Sequence, residues 1–214
     1  MERYDTRTRL FAAGLSTLAG YVDAVGYVQS KGFFVSFMSG NSTRLAVGMV
    51  QSLADALAAA GLLIAFVFGV AGGSLLGRAT RQNRVPAVLA SVAGLLAIAA
   101  IASRWGFLHS ALAATAFAMG VENATFEQGG QVRIGLTYMT GSVVKLGHAL
   151  ADQLVGVREA SWTPPLALWV GFVSGALAGA NAATRVGSDA LWLGSGVATS
   201  FAVIGRIMRR SLVD

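Results

Sequence analysis

The chain has 214 residues, of which 55% are hydrophobic and only 12% are charged, and it contains no cysteine. Soluble domains carry about 25% charged residues, so this composition excludes a disordered chain, a disulfide-stabilised secreted domain and an ordinary soluble enzyme. The net charge is +6. The arginines form short clusters between apolar runs, which indicates membrane topology rather than nucleic-acid binding.

Six apolar runs are long enough to cross a membrane as helices, which takes about 20 residues. They are Leu10 to Val28, Ala56 to Gly77, Val85 to Ala102, Phe107 to Thr125, Pro165 to Ala183 and Ala190 to Ile207. Two further apolar runs, 32–50 and 132–150, are broken near the middle by polar residues around Gly40 and Gly141.

The basic residues favour six spans over eight. If both broken runs enter and leave the membrane on one side, twelve of the sixteen Arg and Lys residues lie on one face. These are Arg3, Arg7, Arg9, Arg78, Arg81, Arg84, Arg133, Lys145, Arg158, Arg206, Arg209 and Arg210. With eight spans, the fourteen basic residues outside the spans divide eight to six. The positive-inside rule therefore predicts an all-α integral membrane protein with six transmembrane helices and both termini cytoplasmic.

The two halves of the chain resemble each other. Residues 20–24 match 120–124 at an offset of 100, and Met38-Ser39-Gly40 matches Met139-Thr140-Gly141 at 101, which aligns Arg44 with Lys145. Three glycines at spacing four in each half match at an offset of 102, namely Gly69, Gly73 and Gly77 with Gly171, Gly175 and Gly179. We therefore predict one membrane domain, 1–214, with pseudo-repeats at about 8–103 and 107–210. Each has three spans and one broken half-helix, so the second would be inverted.

Three segments carry a family resemblance. Gly-Tyr-Val-Asp-Ala at 20–24, Phe-Met-Ser-Gly-Asn at 37–41 and Met-Gly-Val-Glu-Asn-Ala at 119–124 resemble the YoaK-like bacterial membrane proteins, the DUF1275 or UPF0700 group. The resemblance implies a multi-span protein of the bacterial inner membrane and supplies no function. It also implies Gln-Asn where this chain has Glu122-Asn123, so Glu122 would be particular to this chain or its subgroup.

The broken segments are the candidate pathway. Ser39 and Thr140 are predicted helix N-caps. Each segment would then enter as extended chain and return as a half-helix, with the two N-termini facing each other near the membrane centre and favouring anionic groups. The candidate lining residues are Ser39, Gly40, Asn41, Ser42, Arg44, Thr140, Gly141, Ser142 and Lys145. Tightly packed glycine bends and interfacial helices are the alternatives.

Acidic residues inside the spans are the other candidates. Asp23 lies within the first span, where a charge costs about 3 kcal/mol; its partner in the second half is Asn123, beside Glu122. Dry burial favours a protonated carboxyl group, so Asp23 and Glu122 could carry protons. We call the interruptions around Gly40 and Gly141 the first and second breaks. Alternatively, Asp23 stabilises the first break through Arg44 or the N–H groups after Ser39. The alternative for Glu122 is a position at the cytoplasmic end of its span. We expect His148 to be a polar packing residue.

The glycine triplets predict close helix packing, against each other across the pseudo-two-fold axis, with homodimerisation as the alternative. No catalytic constellation, metal cluster or cofactor motif is visible. The expected partners are membrane lipid and an unidentified small solute or ion. The sequence favours a transporter or channel for a small polar or anionic solute, with proton coupling as an option. A membrane scaffold or assembly protein without a conduit, or an intramembrane enzyme, are the alternatives.

Overall fold

The computed structural model describes residues 5–156 and 161–208. The topology residues Arg3, Arg158, Arg209 and Arg210 lie outside those ranges. Within them the chain is all-α apart from one two-stranded hairpin. The helices are α1 (Thr6–Ser30), α2 (Met38–Gln51), α3 (Leu53–Thr80), α4 (Arg84–Arg104), α5 (Leu108–Glu122), α6 (Met139–Leu154), α7 (Thr163–Val186) and α8 (Ala190–Ile207). The hairpin strands are β1 (Glu127–Gln128) and β2 (Gln131–Val132).

The six longer predicted spans correspond to α1, α3, α4, α5, α7 and α8, which run alternately up and down. At one end of the bundle, Gln29 of α1 donates to the Gly187 carbonyl after α7 at 3.3 Å. At the same end Arg104 of α4 lies 3.7 Å from Asp189, just before α8. At the other end, Arg84 of α4 pairs with Glu127, which follows α5.

Glycines bring α1 against α7 and α3 against α5. A Cβ atom at Gly175 would collide with the Thr17 carbonyl oxygen of α1, and one at Gly179 with that of Tyr21. In the other pair, Cβ atoms at Gly69 and Gly120 would strike backbone of the facing helix. Each pair joins one helix from each half of the chain, so the halves interlock through backbone contact.

The glycine triplets therefore pack differently from the prediction, because they contact α1 and α5 and not each other. Gly69 and Gly73 face the backbone of Phe117 and Val121 in α5. Gly77 differs from its counterpart Gly179 in what it contacts, because Gly77 faces the side chain of Arg84 whereas Gly179 faces helix backbone. Since these faces are occupied within one chain, a homodimer would need another surface.

The fourth predicted span is shorter in the structure. The apolar run Phe107 to Thr125 predicts a spanning helix, but α5 ends at Glu122 and has 15 residues, about 22 Å of helix. Asn123 donates its side-chain amide to the Met119 carbonyl at 2.9 Å, and the Thr125 hydroxyl donates to the Glu122 carbonyl at 2.6 Å. Side chains that bond nearby backbone in this way compete with helix continuation, and the hairpin follows.

Much of the outer surface is apolar. Large exposed side chains include Phe68 and Leu75 on α3, Leu177 on α7 and Val203 on α8. By length and composition, two helical stretches, Leu53–Arg104 and Thr163–Ile207, are long and apolar enough to cross a membrane. Each consists of two helices joined by a 3-10 turn, Arg81–Asn83 or Gly187–Asp189. Apolar surface of this extent needs lipid or a partner to cover it.

Two glycine-to-alanine variants test the backbone contact. Alanine gains up to about 1 kcal/mol over glycine in a helix interior. Gly61 has no atom within 4 Å of an added Cβ, so Gly61→Ala should leave stability unchanged or raise it. Gly175→Ala should force α1 from α7 and cost about 1–3 kcal/mol. Thermal unfolding in detergent measures both, and equal melting temperatures would contradict the contact.

Candidate functional site

Asp23 holds the first break in place. Its side chain is buried, and its Oδ1 accepts hydrogen bonds from the backbone N–H groups of Val35 at 2.9 Å, Ser36 at 2.7 Å and Phe37 at 3.4 Å. These three residues directly precede α2. Backbone donors inside a membrane protein cannot be left to lipid, so one carboxylate oxygen of α1 satisfies the turn from which α2 begins.

This geometry corrects two expectations for the first break. The helix α2 begins at Met38, so Ser39 lies in its first turn and is not the N-cap. The donors bonded to Asp23 lie before Ser39, and Arg44 is elsewhere, with its guanidinium 4.7 Å from the centre of the Phe33 ring. The carboxylate already satisfies the segment before α2, which leaves Ser39 no capping task.

Asn41 closes the same loop from the side of α2. It is fully buried; its Oδ1 accepts from the Phe34 N–H at 3.1 Å and its Nδ2 donates to the Phe34 carbonyl at 2.6 Å. The Phe34 and Phe37 rings meet edge to face with centroids 5.1 Å apart. A Cβ at Gly40 would meet both rings, at 2.6 and 2.8 Å. The first break is therefore filled by aromatic side chains.

A similar tie holds the second break. The Thr137 hydroxyl donates to Asn123 Oδ1 at 3.1 Å. By the sequence offsets, Asn123 corresponds to Asp23 and Thr137 to Ser36. The helix α6 begins at Met139 with no side-chain cap, so the predicted N-cap role of Thr140 is also wrong. The break is instead held by a hydroxyl that faces back to the end of α5.

Ser16 brings the second break to α1. Its hydroxyl lies 3.1 Å from the Leu136 carbonyl and 3.0 Å from the Leu168 carbonyl of α7. Ser16 and Asp23 are seven residues apart, so they share one face of α1 at heights that differ by about 10 Å. Both breaks therefore abut the same face of α1. The sequence signal for Ser16 is its heptad spacing from Asp23 within an apolar span.

The two half-helices, α2 and α6, pack against different helices. The chain turns from α2 into α3 through Ser52 alone, and a Cβ at Gly48 would lie 2.6 Å from the Ala56 nitrogen. The main packing partner of α2 is α3, and that of α6 is α7. The segments that precede α2 and α6 contact α1 at Asp23 and Ser16. That the two helix N-termini face each other near the membrane centre stays a prediction.

A cavity of about 540 Å³ separates α6 from the start of α7 and reaches the second break. Ser142, Lys145, His148 and Asp152 line it from α6, and their spacing places them on one side of that helix. The other lining residues are Val132, Arg133, Ile134, Gly135, Tyr138, Gly141, Ala149, Ser161, Pro164, Pro165 and Leu168. Its wall is thus basic and polar on one side and largely apolar on the other.

The predicted pathway residues fall into three groups in the structure: residues that line the cavity, residues that hold the breaks, and residues that do neither. Gly141, Ser142 and Lys145 line the cavity, whereas Asp23, Asn41 and Asn123 hold the breaks. The exposed residues Ser39, Ser42 and Thr140 do neither, and Arg44 lies over Phe33. Four further residues, Arg133, Tyr138, His148 and Asp152, also line the cavity. The sequence pattern predicted a topology role for Arg133 and a packing role for His148, and it indicated no role for the other two. The spacing of 142, 145, 148 and 152 is the signal that could have found the α6 residues.

The first half has aromatic side chains where the second half has the cavity. At the offset of 101, Phe33 and Phe34 correspond to Ile134 and Gly135. Phe37 corresponds to Tyr138, whose side chain lines the cavity. Two of the three rings beside the first break are thus replaced by the smaller Ile134 and Gly135 at the second break, where the cavity lies.

Glu122 stands apart from these contacts. It is fully buried at the end of α5, and neither carboxylate oxygen has a hydrogen-bond partner among the described residues. An ionised carboxylate without partners in a dry interior is very costly.

Glu127 anchors the hairpin at the end of the bundle. Its Oε2 lies 3.1 Å from Arg84 Nη2 and accepts from the Ser74 hydroxyl at 2.7 Å, and its Oε1 accepts from the Gly130 N–H at 3.1 Å. Burial acts to raise the pKa of Glu127, but the Ser74 hydrogen bond and the Arg84 charge together hold that pKa below its ordinary value. This ion pair fixes α4 against the segment that leads to the cavity.

Within residues 5–156 and 161–208, no three His, Asp or Glu side chains are grouped to hold a metal ion. Lys145, His148 and Asp152 line the cavity from α6, and the other titratable residues of its described lining, Arg133 and Tyr138, precede that helix. What the arrangement offers chemically is binding and orientation by positive charge and hydrogen bonds.

Removing the Asp23 carboxylate should destabilise the protein. Asp23→Ala leaves three buried N–H groups unpaired, at about 1–3 kcal/mol each, and a loss of about 3 kcal/mol lowers Tm by about 6–12 °C in a chain of this size. Asp23→Asn keeps an acceptor oxygen and should retain most of the stability. Asp55→Ala, at an exposed position of α3, is the control. If Asp23→Ala and Asp55→Ala melt together, the carboxylate is not the cap.

The family described as "Protein of unknown function (DUF1275)" matches residues 11–204. The chain is also 40% identical over 196 residues to a UPF0700 transmembrane protein of Rhizobium meliloti (strain 1021), covering 86% of this chain and 79% of that protein. No solved structure matches the chain. These matches confirm the resemblance seen in the three sequence segments, and the chain belongs to the DUF1275 family and is a membrane protein.

Proposed function

We propose that the protein is a transporter or channel of the bacterial inner membrane that moves a small polar or anionic solute between two inverted repeats. The observation that carries the proposal is the cavity between α6 and α7. It reaches a broken segment of the bundle, and Ser142, Lys145 and His148 line it from a helix whose other side is apolar.

The packing supports two inverted repeats. By sequence, α1 to α4 correspond to α5 to α8. The α1–α7 pair is thus equivalent to the α5–α3 pair, and each is joined by glycine-to-backbone contact. The helix α4 packs along α8, and Ser195 of α8 donates to the Ala93 carbonyl of α4 at 2.8 Å. A pseudo-two-fold axis between the halves would exchange the α1–α7 pair with the α5–α3 pair and would exchange α4 with α8. The observed packing has this pattern.

The polar side of α6 favours a conduit over a scaffold. The opposite side of this helix exposes Val143, Val144 and Leu150, which suits contact with lipid. Polar and charged residues in such a setting are expensive unless they face a water-filled space or a ligand. A scaffold has no need of a charged cavity.

Glu122 is our candidate for proton coupling. Its carboxyl group is sealed from solvent and lacks hydrogen-bond partners among the described residues. A conformational change that wets this position would release its proton, and a return to the present arrangement would require rebinding. Proton release and uptake would then be linked to the movement of the second break, which follows Glu122 in the chain.

Single-cysteine labelling tests the orientation, in which both termini are cytoplasmic. Asp55 and Gln82 are exposed and lie near opposite ends of α3, and the chain has no native cysteine. In intact cells an impermeant maleimide should label Asp55→Cys and leave Gln82→Cys unlabelled until the membrane is permeabilised. The reverse pattern would invert the topology, and labelling of both would exclude three-span repeats.

Transport is tested by reconstitution into liposomes. Amino acids, sugars, organic anions and inorganic anions are screened by solid-supported membrane currents and by an internal pH dye. We expect at least one class to move faster than through protein-free vesicles, and Glu122→Gln to abolish the accompanying pH change. Gly61→Ala serves as the matched neutral variant. If no class exceeds the protein-free rate with folded protein, the scaffold interpretation replaces transport.

A further inference from the structure

We propose that the cavity beside α6 binds a small organic anion, a carboxylate or sulfonate with an apolar body, through Lys145 and Arg133. This inference rests on the proposed transport function and narrows its substrate class. The cavity has about 540 Å³, within the usual range of about 300–1,000 Å³ for small-molecule sites.

The positive charges of the cavity are available for a ligand. Lys145 comes from α6 and Arg133 from the segment that follows the hairpin, and both line the cavity. Among the described residues neither forms an ion pair, since the two ion pairs there are Arg84 with Glu127 and Arg104 with Asp189. Among the described residues, Asp152 is the only acid that lines the cavity. Within that part of the chain, two cations without an ion pair against one acid give the site a positive charge.

The first turn of α6 adds to this attraction. Gly141 and Ser142 line the cavity directly, and a Cβ at Gly141 would meet nothing within 4 Å. The N-terminus of a helix carries partial positive charge and exposed N–H groups. Lys145 lies one turn further along the same side of the helix, so an anionic head group could contact both.

The opposite wall requires an apolar body on the ligand. Ile134 and Leu168 line the cavity together with Pro164 and Pro165 at the start of α7. An inorganic anion such as sulfate would leave this wall in contact with water. A compact organic anion places its head group on Lys145 and Arg133 and buries its body against these four side chains.

The two lysines of the chain provide the test. Lys31 and Lys145 are the only lysines in the sequence, both are exposed, and only Lys145 lines the cavity. The full-length protein in lipid nanodiscs is treated with an amine-reactive acetylating reagent, and modification at each lysine is measured by mass spectrometry. Benzoate, butyrate and benzenesulfonate are the probes, benzamide is the uncharged control for benzoate, and sulfate is the inorganic control.

We expect at least one organic anion to protect Lys145 saturably while Lys31 reacts at its original rate, and benzamide to give no protection. In a separate titration followed by tryptophan fluorescence, Lys145→Gln should weaken binding of that anion about tenfold or more, because charge-assisted hydrogen bonds are lost. Lys145→Arg should retain most of it.

Three results would overturn the inference. They are no protection by any organic anion, equal protection by benzamide, or parallel protection of Lys31 and Lys145. Stronger protection by sulfate than by every organic anion would overturn the apolar-body assignment. Transport is judged independently: saturable protection without flux in liposomes retains the binding site and rejects transport, whereas flux without protection rejects this site alone.

Discussion

The structure depends on how backbone donors are satisfied in the non-helical segments that precede α2 and α6. Before α2 the chain leaves helical geometry, and the N–H groups of Val35, Ser36 and Phe37 all bond to one oxygen of Asp23. Without water, such donors need a protein acceptor. The carboxylate can supply it only if α1 stays beside the break, and α1 is held by glycines of α7 that admit its backbone. A local hydrogen-bonding requirement thus depends on packing between the two halves.

Sequence patterns predicted the features that depend on composition and spacing. The apolar runs located six of the helices, and the polar breaks around Gly40 and Gly141 located α2 and α6. The partners of the glycines were not predictable, because spacing four shows that a helix admits close approach and not which helix approaches. The predicted caps failed for a similar reason: Ser39 is a suitable local cap, but Asp23, distant in sequence, already satisfies the turn. The cavity depends on side-chain volume at Ile134 and Gly135, which periodicity does not measure.

The two halves have the same order of helices and breaks by sequence. They differ in the side chains beside the two breaks, and only the second break has the cavity described above. In the first half Arg44 covers Phe33, and the rings of Phe34 and Phe37 fill the space beside Gly40. In the second half Gly135 replaces a ring, and Lys145 is left facing open space. A conduit that passed both breaks would require the aromatic cluster of the first half to move. The second half needs only exchange of solute with its cavity, so the two sides of the membrane would be gated by different chemistry.

The acidic residues of the two halves divide their tasks in the same way. Oδ1 of Asp23 accepts hydrogen bonds from three backbone N–H groups. This residue therefore supports the structure whether or not its other oxygen carries a proton. In the second half the corresponding tie is made by the neutral amide of Asn123, which removes a buried charge from that position. Glu122 beside it makes no such bond within the described chain. A change of protonation at Glu122 would break no hydrogen bond among the described residues, whereas loss of the Asp23 carboxyl group would remove the acceptor of the turn before α2. The proposed coupling role of Glu122 and the structural support by Asp23 correspond to one difference, the number of hydrogen bonds that each carboxyl group accepts from described residues.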